Sequence, residues 1–115
     1  MGWAVFYDPD YAAEMRDFDP HVQEAILSAI DLLECLGPRL GRPFVDTLKG
    51  SRFPNMKELR VVAAGQPWRV AFPFDPKRRA VILVAGSKAG KAKSVFYRRL
   101  IQTADRRFDV HLKEL

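Results

Sequence analysis

The segment from residue 19 to residue 38, DPHVQEAILSAIDLLECLGP, constrains the fold more than any other part of the chain. Its opening Asp-Pro pair is typical of a helix start, because aspartate caps free backbone N–H groups and proline fits the first turn. Apolar residues then recur at steps of three and four until a Gly-Pro pair ends the pattern. These residues are Val22, Ala25, Ile26, Ala29, Ile30, Leu33 and Leu36. The pattern predicts one amphipathic helix over 20–36 that must cover an apolar surface elsewhere in the chain.

Three apolar runs in the second half of the chain predict the strands of a sheet that this helix can cover. They are MKELRVVA (56–63), PWRVAFPF (67–74) and AVILVAG (80–86), separated by turns that contain glycine or proline. The middle run alternates, and Pro73 predicts an interruption because proline cannot donate to a strand ladder. The third run is apolar throughout, which is typical of an interior strand covered on both faces.

Sequence signals elsewhere in the chain predict the remaining strand and helices. WAVFY (3–7) predicts a first strand, and the Asp-Pro pair after it predicts a short helix. The segment 37–55 is expected to be a loop, because glycine and proline interrupt it repeatedly. From about Lys93, apolar residues at steps of four predict a last helix. The predicted order is β-α-α-β-β-β-α, an α+β domain over 1–115 with two layers, in which the helices lie on one side of an antiparallel sheet.

Charge divides the chain at residue 38. Residues 1–38 hold one basic residue against eight acidic ones, a net charge of −7, whereas residues 39–115 hold the other 18 Lys and Arg against six acids, a net of +12. This asymmetry favours a polyanionic partner, such as nucleic acid, on one face of the molecule. The alternative is that the fold scatters these charges over the surface without a ligand.

Other chemistries find little support in the sequence. The stretch VAGSKAGK (84–91) is not a phosphate-binding P-loop, because three rather than four residues separate its glycines and alanine follows its Gly-Lys pair. One cysteine and two histidines give no metal-site spacing, so neither a metal nor another cofactor is expected. Cys35 is predicted to be a buried apolar residue, and His111 a surface or helix-end residue rather than an acid catalyst. The lack of a membrane-length apolar run or signal-peptide layout predicts a cytoplasmic protein.

Side chains on the open face of the predicted sheet form the candidate site. Period-two alternation turns the apolar residues of 56–63 toward the helices and presents Glu58 and Arg60 on the other face, where Arg69 joins them. The end of the last strand then supplies three lysines and a tyrosine: Lys88, Lys91, Lys93 and Tyr97. A carboxylate, several cations and a phenol suit a metal-free attack of a 2′-hydroxyl on an RNA phosphodiester, in which arginine and lysine stabilise the phosphorane.

Each of these residues also has a purely structural interpretation. Glu58 and Arg60 could form a surface ion pair of little energetic value, and Tyr97 could be a core residue at the helix start. Lys91 and Lys93 could be solvated loop charges. The residues alone leave these alternatives open.

Three stretches carry a resemblance to a known family. They are LKGSRFPNMKELRV (48–61), the apolar strand that runs into GSKAGK (86–91), and FYRRLIQTADRRFDVHL (96–112). Together they resemble the RelE/ParE toxin superfamily, and more closely its HigB-like, phage-derived branch. The resemblance implies a toxin of a type II toxin–antitoxin system, a ribosome-associated, metal-independent endoribonuclease that cleaves translated mRNA. It also implies a helix-turn-helix antitoxin as partner, in a toxin–antitoxin hetero-oligomer without membrane association.

The resemblance assigns roles to residues of this chain. RelE-type sites use basic residues on the middle strands, a basic residue after the last strand and a tyrosine on the following helix, which here fall on Arg60, Arg69, Lys88 or Lys91, and Tyr97. Glu58 stands where RelE has a strand lysine, which makes Glu58 a candidate base. The predicted catalytic residues are therefore Glu58, Arg60, Arg69, Lys88 and Tyr97, and the predicted RNA-binding residues are Lys57, Lys91, Lys93 and Arg98.

The superfamily also leaves two other functions open. One is a ParE-like toxin that inhibits DNA gyrase without cutting RNA. The other is an inactive phage-derived module that binds nucleic acid or only its antitoxin, because a shared fold does not imply a shared function.

Overall fold

The computed structural model describes residues 2–115, which form six strands and three α-helices. The strands are β1 (Ala4–Tyr7), β2 (Val45–Thr47), β3 (Lys57–Ala63), β4 (Gln66–Phe72), β5 (Arg79–Ile82) and β6 (Val84–Ser87). The helices are α1 (Pro9–Arg16), α2 (Pro20–Leu36) and α3 (Lys93–Lys113). The α+β class and the antiparallel sheet predicted from the sequence are confirmed.

The first two helices begin where the Asp-Pro pairs predict. The carboxylate of Asp8 accepts bonds from the backbone N–H groups two and three residues further on, at 3.0 and 3.1 Å, and Asp19 accepts one at 2.8 Å. These bonds satisfy N–H groups that a helix start otherwise leaves free. Helix α2 ends because Gly37 adopts a φ of 55°, which glycine tolerates without steric strain.

The sheet is larger than predicted and contains one parallel pair. Strands β2, β3, β4 and β6 form an antiparallel sheet in that order, and β1 pairs with β5 in parallel. The short β2 lies in the segment 37–55 that the sequence predicts as a loop, because its pairing with a distant strand leaves no local signal. Pro73 ends β4 as predicted, but its carbonyl still accepts a bond from the N–H of Val81 at 2.9 Å and so links β4 to β5.

A β-bulge separates β5 from β6. The N–H of Leu83 bonds to the carbonyl of Ala71 at 3.0 Å, and Val84 is the register partner of the same alanine. Leu83 and Val84 therefore both lie opposite Ala71, and the single strand predicted over 80–86 is divided into β5 and β6. The carbonyl of Leu83 accepts a bond from the side chain of Arg107 at 2.8 Å.

The helices cover both faces of the sheet, which corrects the prediction that they lie on one side. Helices α1 and α2 pack on one face with Val70 and Ile82, whereas α3 packs on the other with Ala71 and Val81. Strand β5 requires this arrangement, because its apolar residues on both faces are fully buried. Helix α3 covers only part of its face, so the charged residues of β3 and β4 border an open cleft there.

The outer surface of α2 carries part of the acidic charge of the first third of the chain. Glu24 and Asp31 are exposed there. Cys35 is also exposed, so its predicted burial is wrong; it lies one helical turn after Asp31 on the same solvent-facing side. None of the helices within residues 2–115 has the length and apolar character needed to cross a membrane.

Arg107 of α3 joins three parts of the fold. Its guanidinium donates to the carboxylate of Glu14 at 2.9 and 2.6 Å and to the carbonyl of Leu83 at 2.8 Å. Its Nε lies 3.8 Å from Asp8, the cap of α1. The hydrogen bonds to Glu14 raise the pKa of Arg107 more than burial lowers it, so the side chain stays charged inside the protein.

Asp75 forms a second cluster near the end of α3. Its fully buried carboxylate lies 2.8 Å from Nε2 of His111 and accepts a bond from Arg79 at 2.9 Å. Burial alone would raise the pKa of Asp75, but the bonds with His111 and Arg79 outweigh burial, and the pKa is lowered. His111 lies at the helix end as predicted, yet it is buried rather than on the surface.

Candidate active site

The open part of the second sheet face forms a cleft of about 900 Å³. Its walls come from β2, β3, β4 and the residues on both sides of the start of α3. Five cationic side chains and two carboxylates line it together with a tyrosine: Lys49, Arg60, Arg69, Lys88 and Lys93, Asp46 and Glu58, and Tyr97. The acidic α1 and α2 pack on the opposite face, so the charge asymmetry of the sequence becomes an asymmetry between faces. The excess of positive charge suits an anionic ligand.

Strand register places Arg60 of β3 directly opposite Arg69 of β4. Like charges at opposite positions repel, and each arginine has a carboxylate of its own. The NH2 group of Arg60 lies 3.4 Å from Asp46, and Nε of Arg69 lies 3.1 Å from Glu58. The alternative of a surface pair between Glu58 and Arg60 is therefore wrong, because Glu58 pairs with the other arginine and is buried.

Glu58, Arg69 and Tyr97 form a hydrogen-bonded triad in the cleft. The hydroxyl of Tyr97 donates to Oε1 of Glu58 at 2.7 Å and accepts from Nε of Arg69 at 3.3 Å. Arg69 also donates to the carbonyl of Trp68 at 3.0 Å. Glu58 is only 6% exposed, and its bonds converge on Oε1, which leaves Oε2 without a hydrogen bond from residues 2–115. The triad holds three functional groups in fixed positions.

Tyr97 belongs to the cleft and to the core. Its ring packs against the apolar cluster under α3, whereas its hydroxyl lines the cleft. Burial, and then the bond to Glu58, raise the pKa of Tyr97. The hydroxyl therefore keeps its proton near neutral pH and remains a donor to the carboxylate.

Lys88 lines the cleft just beyond the end of β6. Its Nζ lies 5.5 Å from the centre of the Tyr97 ring, within reach of a cation–π contact. Burial, and then the positive charges of Arg69 and Lys93, lower the pKa of Lys88. A lysine with a lowered pKa gives up its proton more readily, which suits proton transfer to a leaving group.

The cleft brings together six of the nine predicted site residues: Glu58, Arg60, Arg69, Lys88, Lys93 and Tyr97. The other three do not line it. Lys57 precedes Glu58 on β3, so alternation turns it to the other face. Nζ of Lys91 donates to the carbonyl of Ser87 at 2.7 Å beside a separate hollow of about 190 Å³, and Arg98 is exposed on α3. RNA-binding roles for these three residues stay predictions.

Asp46 and Lys49 belong to the cleft but were missed by sequence reasoning. Both lie in the segment 37–55, where glycine and proline predict a loop, and an aspartate there looks like any other turn residue. Asp46 contacts Arg42 at 3.0 Å as well as Arg60. A backbone N–H bond from Thr47 and the two arginines lower the pKa of Asp46.

The fold defines the class of protein to which this chain is similar. It matches an arginine-to-alanine mutant of the E. coli toxin RelE in the free state, with a TM-score of 0.62 over 93% of this chain and 98% of that chain. The two sequences are 15% identical, so the match shows a shared fold.

The chain belongs to the family described as phage derived protein Gp49-like (DUF891), which matches residues 13–109. Two relatives from Mycobacterium tuberculosis, HigB2 and HigB3, carry the word toxin in their names. The chain is 41% identical to HigB2 over 115 residues, which cover 99% of this chain and 56% of HigB2. It is 51% identical to HigB3 over 83 residues, 72% of this chain and 70% of HigB3. The chain thus spans just over half the length of HigB2. The predicted resemblance to HigB-like, phage-derived toxins is confirmed, and the predicted resemblance to RelE is confirmed at the level of the fold.

Proposed function

We propose that the protein is the toxin of a type II toxin–antitoxin pair and that it cleaves mRNA in its basic cleft. The observation that carries this proposal is the Glu58–Arg69–Tyr97 triad in a cleft with more cations than carboxylates. A surface that only binds nucleic acid needs positive charge, whereas this cleft also holds a carboxylate, a phenol and a lysine with a lowered pKa. The toxin names of HigB2 and HigB3 support the same function.

The two arginines bind the scissile phosphate in this proposal. Arg69 uses Nε for the triad and NH1 for the carbonyl of Trp68, which leaves NH2 for a phosphate oxygen. Arg60 is held by a 3.4 Å contact with Asp46 and can turn toward the phosphate at little cost. Planar guanidinium groups match phosphate oxygens well, and Lys93 adds a point charge at the rim.

The proposed reaction is a transesterification within the RNA. The 2′-oxygen forms a bond with the adjacent phosphorus while the bond from phosphorus to the 5′-oxygen breaks, which leaves a 2′,3′-cyclic phosphate and a 5′-hydroxyl. Oε2 of Glu58 takes the proton of the 2′-hydroxyl, and Lys88 gives a proton to the departing 5′-oxygen. Arg60 and Arg69 stabilise the additional negative charge on the phosphorane. Tyr97 keeps Glu58 in position throughout.

A cell that makes such a nuclease needs an antitoxin. We expect a helix-turn-helix protein that forms a hetero-oligomer with the toxin in the cytoplasm, where the substrate is mRNA on the ribosome. The acidic surface of α1 and α2 lies on the sheet face opposite to α3, which supports a partner site separate from the RNA cleft.

Expression of the full chain in bacteria, followed by mapping of mRNA 5′ ends, tests the proposal. The wild type is expected to arrest growth and create new mRNA ends. Arg69→Ala should lower cleavage about 100-fold or more, since one charge-stabilising donor contributes about 10²–10³ in rate. The control is Arg106→Ala, which removes an exposed arginine of α3 outside the cleft and should behave like the wild type. Growth arrest with unchanged mRNA would contradict the proposal, and DNA breaks in those cells would point to gyrase.

A further inference from the structure

We propose that the open sheet face has a second part, which stacks an unpaired nucleobase of the RNA whose phosphate lies in the cleft. This part is formed by Phe44, Val62 and Pro67, and we name it the apolar shelf. The inference rests on the proposed function and deepens it, because it defines the substrate as a single strand with at least one base free to leave its stack.

The apolar shelf is continuous with the arginine pair. Alternation along β3 puts Glu58, Arg60 and Val62 on one face. Register places Val62 opposite Pro67 in the same way as it places Arg60 opposite Arg69. The step from one pair to the other is two residues along the strands, about 7 Å. A ribose that links a phosphate to its base can span such a distance.

Phe44 borders the apolar shelf on the side of β2. Its carbonyl accepts a bond from the N–H of Arg60 at 2.7 Å, which fixes the backbone of Phe44 beside that arginine. The next residue, Val45, is buried in the core under α2. Phe44 itself lies in the turn just before β2 and is 47% exposed, so its side chain does not enter that core.

The apolar shelf is exposed although its residues are apolar. Val62 is 73% exposed and Phe44 is 47% exposed, whereas Pro67 is half-buried. Single exposed apolar residues are ordinary, but neighbouring ones beside a charged cleft mark a surface that binds a ligand. The ligand that this surface meets must therefore be apolar where it touches the shelf and anionic where it touches the arginines.

A nucleotide of single-stranded RNA has both properties. Its base offers a flat ring that stacks on an aromatic side chain, and its phosphate carries the negative charge. A duplex keeps its bases stacked between their neighbours, so only a single strand or a loop can present one to the shelf.

Binding of a short 2′-O-methyl RNA to the purified chain, measured by fluorescence anisotropy, tests the shelf without cleavage, because this RNA lacks the attacking hydroxyl. Phe44→Ala should weaken binding about tenfold, and Phe44→Trp should bind like the wild type, because stacking depends on the aromatic face. The matched control is Leu27→Ala, since Leu27 is 47% exposed like Phe44 but lies on α2. This control should leave the affinity unchanged.

The salt dependence of binding separates a base contact from a phosphate contact. Loss of one phosphate contact lowers the slope of log affinity against log salt by about 0.7 for a single strand. Phe44→Ala should therefore keep the wild-type slope, whereas Arg69→Ala should reduce it. An RNA without bases should bind the wild type about tenfold more weakly and should no longer distinguish Phe44→Ala from the wild type.

Equal affinities for Phe44→Ala and Leu27→Ala would overturn the apolar shelf, whereas binding that still depends on Arg69 would leave the proposed function standing. If the wild type binds no RNA and Arg69→Ala changes neither binding nor mRNA ends, both proposals fall. If Phe44→Ala keeps its RNA affinity but loses affinity for a protein partner, the shelf is a protein contact and the inference is overturned.

Discussion

Helix α3 borders two groups of charged residues that differ in how their charges are balanced. Near its end, Arg107 contacts Glu14 and His111 contacts Asp75, so each buried positive or titratable group meets a carboxylate. Near its start, Tyr97 faces a cleft in which five cationic side chains share two carboxylates. The balanced group fastens the helix to the sheet, and the unbalanced group leaves cations for a ligand.

Burial does not distinguish the two groups. Asp75 and Glu58 are both buried carboxylates that form an ion pair with an arginine. The difference is that all contacts of Asp75 lie inside the fold, whereas Glu58 borders a cleft and has one oxygen without a hydrogen bond from residues 2–115. Access to the cleft and the excess of positive charge, rather than depth of burial, distinguish Glu58, the proposed base, from Asp75.

Asp75→Asn should cause the largest loss of stability. The substitution removes a buried charge that holds both Arg79 and His111, and breaking a buried ion pair costs about 3–5 kcal/mol. Urea unfolding measures this loss. Asp31→Asn, a change of an exposed aspartate on α2, should stay within about 0.5 kcal/mol of the wild type.

The same variant should change the pH dependence of unfolding. Because the pKa of Asp75 is lowered from 3.8, its ionised form stabilises the fold above that pH, and the contribution is lost as the pH falls through the lower folded-state value. The wild type should therefore lose stability below about pH 3.8 more steeply than Asp75→Asn. Parallel curves would show that Asp75 does not contribute in this way.

Arg107→Met should cause the next largest loss, about 2–3 kcal/mol of unfolding free energy. Methionine fills much of the same space, but it leaves the carbonyl of Leu83 without a donor and Glu14 without its cation. Arg106→Met, at the neighbouring exposed position, is the control. Equal stabilities of the two variants would break the comparison between the ends of α3.

Glu58→Gln should lower stability by only about 1 kcal/mol, because glutamine still accepts the bond from Tyr97. It should lower RNA cleavage about 100-fold or more, because glutamine cannot take the proton of the 2′-hydroxyl. Unfolding and cleavage are measured on the same preparation. A stability loss as large as that of Asp75→Asn would make Glu58 a structural residue instead.

Lys88→Ala should have the smallest effect on stability, within about 0.5 kcal/mol, because the change relieves repulsion from Arg69 and Lys93. Cleavage should nevertheless fall about 100-fold, the usual contribution of a general acid. Lys77→Ala is the control, since Lys77 is exposed and lies outside the cleft. Equal cleavage by the two variants would exclude Lys88 as the proton donor.

Local sequence signals predicted those parts of the fold that neighbouring residues determine. The caps defined α2, and alternation placed Glu58, Arg60 and Arg69 on one face of the sheet. The prediction that all helices lie on one side of the sheet was wrong, although the apolar strand predicted over 80–86 already required cover on both faces. The expected burial of this strand on both faces agrees with the observed helix arrangement.

Contacts between distant segments were beyond sequence reasoning. His111 and Asp75 lie 36 positions apart, and neither residue has a neighbour that indicates the other. Asp46 enters the cleft only because β2 pairs with β3, which no local pattern reveals. The cations of the cleft other than Lys49 could be predicted from composition and alternation, whereas the pairing of each arginine with its carboxylate depended on tertiary contacts.

The bulge at Leu83 decides which face receives Lys88. Ile82 packs with α1 and α2, whereas Leu83 and Val84 both pack on the side of α3. Along this segment, the odd-numbered residues therefore face the cleft side before the bulge, and the even-numbered residues face it after the bulge. The N–H of Lys88 bonds to the carbonyl of Pro67 at 2.8 Å, so this parity extends to the lysine. Deletion of a single bulge residue would reverse the parity and turn the ammonium group to the acidic side of the sheet. Such a deletion should abolish the proposed cleavage although every proposed catalytic residue remains in the chain.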